Sequence, residues 1–203
     1  VLTLRKIAIT GGLSSGKSTV CKIFKDLGAY TVSSDEIVHN LLKKDRILQE
    51  KIVSLLSSDI LINNQIDREK IAKIVFSDRE KLQALERLIH PAVFHEIQST
   101  FETVKKNHQH SLFVAEVPLL YETESQNLFD AVIVVLCEEK KCKERFSAAK
   151  SQCYNQFEDR MMRQIPPEQK AAKADFIIFN NGSIEELTNQ VIQLSSKLRS
   201  TKS

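Results

Sequence analysis

No Cys-x-x-C pair occurs anywhere in the 203 residues. The four cysteines, Cys21, Cys137, Cys142 and Cys153, lack zinc-finger spacing as well, which disfavours both a disulfide framework and a structural zinc site. Such thiols fit a reduced, cytoplasmic protein. Long hydrophobic runs are missing too. Stretches such as Val132 to Cys137 fall far short of the about 18 residues that a bilayer-spanning helix requires, so no membrane partner is expected. Nor is there an excess of one charge: 29 Lys+Arg stand against 26 Asp+Glu, a net +3. That balance does not argue for nucleic acid, and Lys43-Lys44, Lys105-Lys106 and Lys140-Lys141 read as solvated helix ends. At the N-terminus, Arg5-Lys6 and the glycines from Gly11 onward leave no room for a signal-peptide core, which disfavours the secretory route. What remains is a soluble chain, 42% hydrophobic, long enough for one core with small attached subdomains.

Ile7-Ala8-Ile9 ends at Gly11-Gly12, after which Val20, Ile23, Phe24 and Leu27 recur at helical spacing, so a strand, a glycine turn and a helix open the chain. Gly28 closes that helix, and Ala29 to Val32 predicts a second strand. Leu112 to Val117 and Ala131 to Cys137 have the unalternating look of parallel strands covered on both faces, and Phe176 to Phe179 makes a fifth. Capping boxes at Ser33/Glu36, Ser77/Glu80 and Ser183/Glu186 mark three helix starts. Between Leu82 and Val104 the apolar residues step by three or four, with Pro91 predicting a kink or a break between two helices. Strands alternating with helices imply an α/β fold with a five-stranded, mostly parallel sheet. The expected core comprises residues 1–35, 111–139 and 174–203. Residues 36–110 form an insertion of helix and turn on the substrate side, and polar residues 140–173, with Pro166-Pro167, form a mobile lid. The last helix repeats the apolar pattern at Leu187, Val191, Leu194 and Leu198, while Ser195 to Ser203 reads as a frayed polar tail.

Gly11-Gly12-Leu13-Ser14-Ser15-Gly16-Lys17-Ser18 satisfies G-x-x-x-x-G-K-S/T, and the chain spends three of its five glycines on it. Glycine lets the backbone curl so that successive N–H groups point at the phosphates of a nucleotide. The helix that follows adds its positive end. Lys17, expected to lie exposed in the loop, would reach the β- and γ-phosphates of ATP, and the Ser18 hydroxyl would ligate Mg²⁺. No N-K-x-D or D-x-x-G string supports a GTPase, and no L-S-G-G-Q string supports a transporter ATPase. A small kinase acting on a metabolite remains.

Such a kinase needs a carboxylate beside the acceptor hydroxyl. Asp35 stands where the second strand ends and is the favoured candidate, with a first-turn acid complementing the helix dipole as the alternative at the same position. Glu36 is better explained by its capping box. Glu116 ends the third strand, where an acid can orient Mg²⁺ through water or serve only as a satisfied structural group. Arg145, Arg160 and Arg163 are candidates to close on the transferring phosphoryl group. His108 and His110 read as solvated.

Several strings together resemble the dephospho-CoA kinase family. Thr10 to Thr19 is similar to the family's T-G-G-I-G-S-G-K-S-T, Ile66-Asp67-Arg68 to its L-D-R, Val75-Phe76 to its V-F, and His90-Pro91 to its H-P. Val117 to Glu122 resembles V-P-L-L-F-E, and Arg160, Gln164, Lys170, Ala174-Asp175 and Asn180 with Gly182 follow the family's later spacing. Three departures stand out. The family's D-A-D reads Ser33-Ser34-Asp35, a common arginine is Ala149, and an aspartate frequent before the asparagine is Phe179. The resemblance implies transfer of the ATP γ-phosphoryl to the ribose 3′-hydroxyl of dephospho-CoA. It makes Asp35 and Lys17 catalytic and gives Gly11, Gly12, Ser14, Ser15, Gly16, Ser18, Thr19 and Arg145 to ATP. Arg68, His90 and Glu122 go to the second substrate, whose diphosphate calls for cations. A monomer or weak homo-oligomer is expected. A kinase of nucleoside monophosphates or shikimate, and an ATP-dependent regulatory module, remain as alternatives.

Overall fold

The computed structural model describes residues 3–148, 157–158 and 161–200. Two compact units emerge, one of Val1–Ser33 with Phe101–Ser203 and one of Ser34–Thr100.

The first unit is built on β1 (Arg5–Gly11), β2 (Tyr30–Ser33), β5 (Leu112–Glu116), β6 (Ala131–Leu136) and β7 (Phe176–Phe179). They form one parallel sheet in the order β2-β5-β1-β6-β7, so the chain starts in the middle of its sheet. Ile7, Ala8 and Ile9 of β1, with Ile133, Val134 and Val135 of β6, are fully buried, as the unbroken apolar runs predict for strands covered on both faces. Helix α1 (Lys17–Asp26) contributes Val20 and Phe24 to the core of one face. It ends as read from Gly28, which has φ 85°: Gly28 N–H donates to Lys25 O and Ala29 N–H to Phe24 O, a Schellman closure.

The second unit contains α2 (Ser34–Lys44), α3 (Arg46–Leu56), a hairpin of β3 (Leu61–Ile62) and β4 (Gln65–Ile66), α4 (Arg68–Ser77) and most of α5 (Arg79–Asn107). Leu42, Ile52, Ile60, Ile71 and Leu85 close its own core. The hairpin corrects the expectation of helix and turn alone. Asn63 and Asn64 both adopt positive φ, 50° and 60°, the two-residue turn that asparagine tolerates. Pro91 breaks nothing: α5 is one helix, short of the rung that Pro91 cannot donate to Arg87. Its start is also corrected, because Asp78, not Ser77, accepts from Glu80 N–H and Lys81 N–H, while the Ser77 hydroxyl turns back to Lys73 O and Ile74 O.

Past the sheet's fourth strand lie α6 (Glu139–Ala148) and α7 (Pro167–Ala171), and α8 (Ile184–Ser200) ends the described chain. Its capping box is as read, with Ser183 and Glu186 exchanging hydrogen bonds. The frayed tail is not. Ser195 and Leu198 are buried, and Arg199 donates to Ser111 Oγ at 2.6 Å and to Leu27 O at 2.8 Å. The helical repeat of Leu187, Val191, Leu194 and Leu198 continues through the polar run as its spacing predicts, and Leu198 faces the core. Among the described residues no helix is long and apolar enough to cross a membrane.

Candidate active site

β1 lies between β5 and β6, the place where chain order reverses in the sheet and where ligands bind at the carboxyl ends of strands. Gly11 is its last residue, paired in register with Val135. With φ 145° it comes so near that strand that a Cβ would overlap the Val135 carbonyl. Gly16, at φ 96°, is crowded by the Asn180 side chain, whose Nδ2 donates to Ser15 O at 2.8 Å. Ser14 sits at φ 55°, a left-handed conformation, and the family string has glycine at this place.

α1 begins at Lys17 with no acidic side chain in its first turn to offset its positive end. Ser18 and Thr19 are exposed in that turn. Lys17 is not exposed, contrary to expectation. It is buried, its Nζ donating to Gly11 O at 3.3 Å and Gly12 O at 2.8 Å, so the loop's own carbonyls hold the ammonium. Carbonyls carry only partial charge, and a phosphate would compete with them for this cation.

Glu116 ends β5, and Ser18 Oγ donates to its Oε1 at 2.8 Å. The two candidate Mg²⁺ residues, far apart in sequence, thus meet. A hydroxyl and a carboxylate are hard oxygen donors, and Mg²⁺ takes one or two protein oxygens while keeping water and phosphate for the rest of its shell. No three His, Cys, Asp or Glu side chains gather to hold a metal among the described residues. Cys21 lies near both Glu116 and Lys17, and burial, with the Glu116 charge, pushes its thiol up, away from reactivity.

Arg145, in the last turn of α6, donates to Cys137 Sγ and to Asn180 O, both at 3.2 Å. It stands beside Gly16. Asn180 therefore joins the arginine to the phosphate loop from the end of β7. The sequence reading matched this asparagine to a family string without seeing a role for it. Its signal was its place, directly after the fifth strand.

Glu122 is held by protein. Its Oε1 takes the Lys170 ammonium at 2.8 Å and the Ile165 N–H at 2.9 Å, and Lys170 Nζ also donates to Pro118 O at 2.9 Å. Arg163 is exposed, while Arg160 and Ala149 lie outside the described residues.

In the second unit, Asp35 is exposed in the first turn of α2, two residues after Ser33, which pairs with Glu116 across β2 and β5. Arg68 opens α4, and Asp67 before it accepts from Glu69 N–H and Lys70 N–H, so the Ile66-Asp67-Arg68 string is a helix start that presents a cation. Arg68 Nη1 lies 3.4 Å from His39 Nδ1 on α2. His90 is half-buried in α5, and desolvation lowers its pKa below the usual histidine value although Glu86 pulls the other way. At neutral pH His90 therefore offers a hydrogen bond and not the positive charge expected of it.

A parallel sheet of this order, a glycine loop leading into α1, and a buried lysine beside a Ser–Glu pair define a P-loop kinase. A shikimate kinase of Acinetobacter baumannii shares the fold, with a TM-score of 0.55 at 15% identity over 98% of this chain and 97% of that one. The sequence profile of dephospho-CoA kinases matches residues 5–186, and the chain belongs to that family. It is 44% identical to the dephospho-CoA kinase of Protochlamydia amoebophila over 98% of both chains, and 42% identical to that of Chlamydia felis over 94% of this chain and 95% of the other. A solved dephospho-CoA kinase of Campylobacter jejuni superposes with a TM-score of 0.65 at 27% identity, covering 96% of this chain and 97% of that one. A Thermus thermophilus crystal structure reaches 0.81 at 26% identity, covering 97% and 98%.

Proposed function

We infer that this chain transfers the γ-phosphoryl group of ATP to the ribose 3′-hydroxyl of dephospho-CoA, giving CoA and ADP, the last step of CoA synthesis. The observation that carries this reading is the hydrogen-bonded Ser18–Glu116 pair beside Lys17, in a chain of this family. The amides of residues 11–16 and the open end of α1 cradle the phosphates, with Ser14, Ser15 and Thr19 lining them. Lys17 leaves the Gly11 and Gly12 carbonyls for the β- and γ-oxygens, where charge builds during transfer. Ser18 directly and Glu116 through a water would hold the Mg²⁺ that comes with ATP, and the ion would supply neutralisation of phosphate charge there. Arg145 binds ATP from the other side of Gly16.

On the acceptor side, Asp35 orients the 3′-hydroxyl and takes its proton late, as a loose transition state requires. Arg68 meets the diphosphate by charge and His90 by hydrogen bonding, with Glu122 ordering the loop after β5 on that substrate's side. Residues 36–110 thus act as the substrate-binding insertion and residues 140–173 as a lid that excludes water. The protein works in the cytoplasm, where cysteines without a pairing pattern stay reduced, as a monomer or weak homo-oligomer that engages neither nucleic acid nor membrane.

Purified protein with Mg-ATP is expected to convert dephospho-CoA to CoA with matching ADP release, and to stop when the metal is chelated. Faster turnover of shikimate or a nucleoside monophosphate overturns the reading. Asp35→Asn keeps size and hydrogen bonding but removes the charge, so kcat is expected to fall about 10²-fold with little change in ATP affinity. A near-normal kcat would leave Asp35 only its place at the α2 dipole and move the base to Glu116.

A further inference from the structure

The Arg145 guanidinium donates to a sulfur, and that sulfur has a second thiol beside it. Cys137 follows β6, and Cys142 sits in the opening turns of α6. Cys142 Sγ lies 3.8 Å from the Cys137 carbonyl oxygen, and Cys137 packs against the small buried cluster that contains Cys142. Both line a cavity of about 240 Å³ that also takes in Gly12 and Ser15 of the phosphate loop. The cavity is large against a water-sized molecule. A small polar reagent therefore has room at the sulfurs. Both cysteines are free.

We propose that Cys137 and Cys142 form a peroxide-responsive dithiol whose oxidation to a disulfide weakens ATP binding through Arg145. In the first step the Cys137 thiolate attacks one oxygen of hydrogen peroxide: the S–O bond forms, the O–O bond breaks, and hydroxide leaves and takes a proton as water. Cys142 sulfur then attacks the sulfenic acid, forming S–S and breaking S–O, and the departing hydroxide takes the Cys142 thiol proton as a second water. Two thiols have lost two electrons and one peroxide has gained them. A dithiol reductant reverses the step.

The order of events follows from position. Arg145 faces Cys137 at 3.2 Å and can pair with its anion, which makes Cys137 the attacking sulfur. Cys142 is buried, and desolvation together with the Cys137 charge pushes its thiol up to about 12, so it enters as the resolving thiol. Cys21 is buried by the phosphate loop's helix and does not line this cavity.

The consequence for the enzyme rests on the reading that ATP occupies the loop. Arg145 is held by two acceptors, Cys137 Sγ and Asn180 O, and Asn180 in turn holds Ser15 O. Drawing Cys137 sulfur into a bond with Cys142 removes one of the two anchors of the guanidinium. The arginine is then less well placed beside Gly16, and the effect falls on KM for ATP more than on kcat.

The test treats the full chain with hydrogen peroxide, quenches with an alkylating reagent, and maps peptides by mass. A loss of about two mass units located in a Cys137–Cys142 bond is expected. KM for ATP should rise at least threefold and return with dithiothreitol. Cys142→Ala should keep the basal rate and lose the disulfide and its effect on KM. A bond that uses Cys153 or Cys21 in place of Cys142, irreversible sulfinic acid at Cys137 without a bond, or a disulfide that leaves KM unchanged each overturns the proposal. Absence of kinase activity in the fully reduced protein would instead sink the functional reading, and the mass shift is read independently of it.

Discussion

Removing the Lys170 ammonium is expected to cost this protein more stability than any single surface change. The Lys170 side chain is fully buried, and Glu122, which it pairs with at 2.8 Å, is 16% exposed. Lys170→Met keeps the length of the stem and deletes the charge. Glu122 would then keep one donor on Oε1, the Ile165 N–H, while its Oε2 has no hydrogen-bond partner among the described residues. Breaking a buried pair from one side typically costs about 3–5 kcal/mol, because the partner charge stays behind without compensation. For a chain of this size each kcal/mol moves Tm by about 2–4 °C, so a fall of about 6–20 °C is expected. Glu122→Gln should cost a similar amount. The double variant Lys170→Met with Glu122→Gln should be well short of the sum, with a coupling of about 1–3 kcal/mol. Thermal and urea unfolding followed by circular dichroism measure all four proteins. A loss under about 1 kcal/mol for Lys170→Met, the size of an exposed pair, would refute the reasoning. The same series decides what Glu122 does: a direct substrate contact would show as a raised KM for dephospho-CoA at nearly constant Tm.

Lys17→Ala is expected to reduce kcat by about 10³-fold or more, as removal of a charge that acts on the transition state does. Because the ammonium also fastens Gly11 O and Gly12 O, Tm should drop by a few degrees as well, and an unchanged Tm would contradict the buried position. Asn180→Ala leaves Ser15 O without its side-chain donor at a cost of about 1–3 kcal/mol, with KM for ATP raised because the loop loses a tie; an unchanged KM refutes that link. His90 has its pKa lowered by burial, so the unfolded chain binds more protons than the folded one below about pH 6.5, and stability falls as pH drops through that range. His90→Asn should flatten this part of the Tm against pH curve, and an unaltered slope would mean that the group titrates normally.

The sheet was legible because its strands carry unbroken apolar runs, and the phosphate loop because its spacing admits few other readings. Helix starts were legible only in part. Ser183 caps as its pattern says, whereas at Ser77 a neighbouring Asp78 competes for the same amides, and a carboxylate is the stronger acceptor. The Asn63-Asn64 hairpin was missed since two-residue strands leave no run to detect. The frayed tail was a misreading of composition, because the apolar repeat that reaches Leu198 runs through Ser195 and Ser196, and burial is decided by the face and not by the average. At the candidate site, the phosphate loop was legible and the partners of its residues were not. Nothing in the local spacing brings Glu116 to Ser18 or Asn180 to Ser15, since each contact joins segments about a hundred or more residues apart through the order of the sheet.

That order also divides the labour around β1. On the β6 side the loop is fastened: Gly11 lies against Val135, Asn180 holds Ser15, Pro167 packs on Gly12, and Arg145 stands at Gly16. On the β5 side lies the Ser18–Glu116 pair, with Ser18 exposed and its hydroxyl donating to Glu116 Oε1. A loop whose amides must converge on phosphate works best when its conformation is set before the ligand arrives, and contacts with neighbouring strands supply that order. On the proposed Mg²⁺ role the Ser18–Glu116 pair has the opposite need, since Ser18 would have to release Glu116 to take a cation that arrives with its nucleotide. Placing β1 in the centre of the sheet gives one edge to anchoring and the other to chemistry. Substitutions on the β6 side should therefore raise KM for ATP and lower Tm together, whereas Glu116→Gln should lower kcat and the response to Mg²⁺ while Tm stays within a few degrees of the parent. A Glu116→Gln protein that unfolds as readily as Asn180→Ala would show that the two edges are not separate in this way.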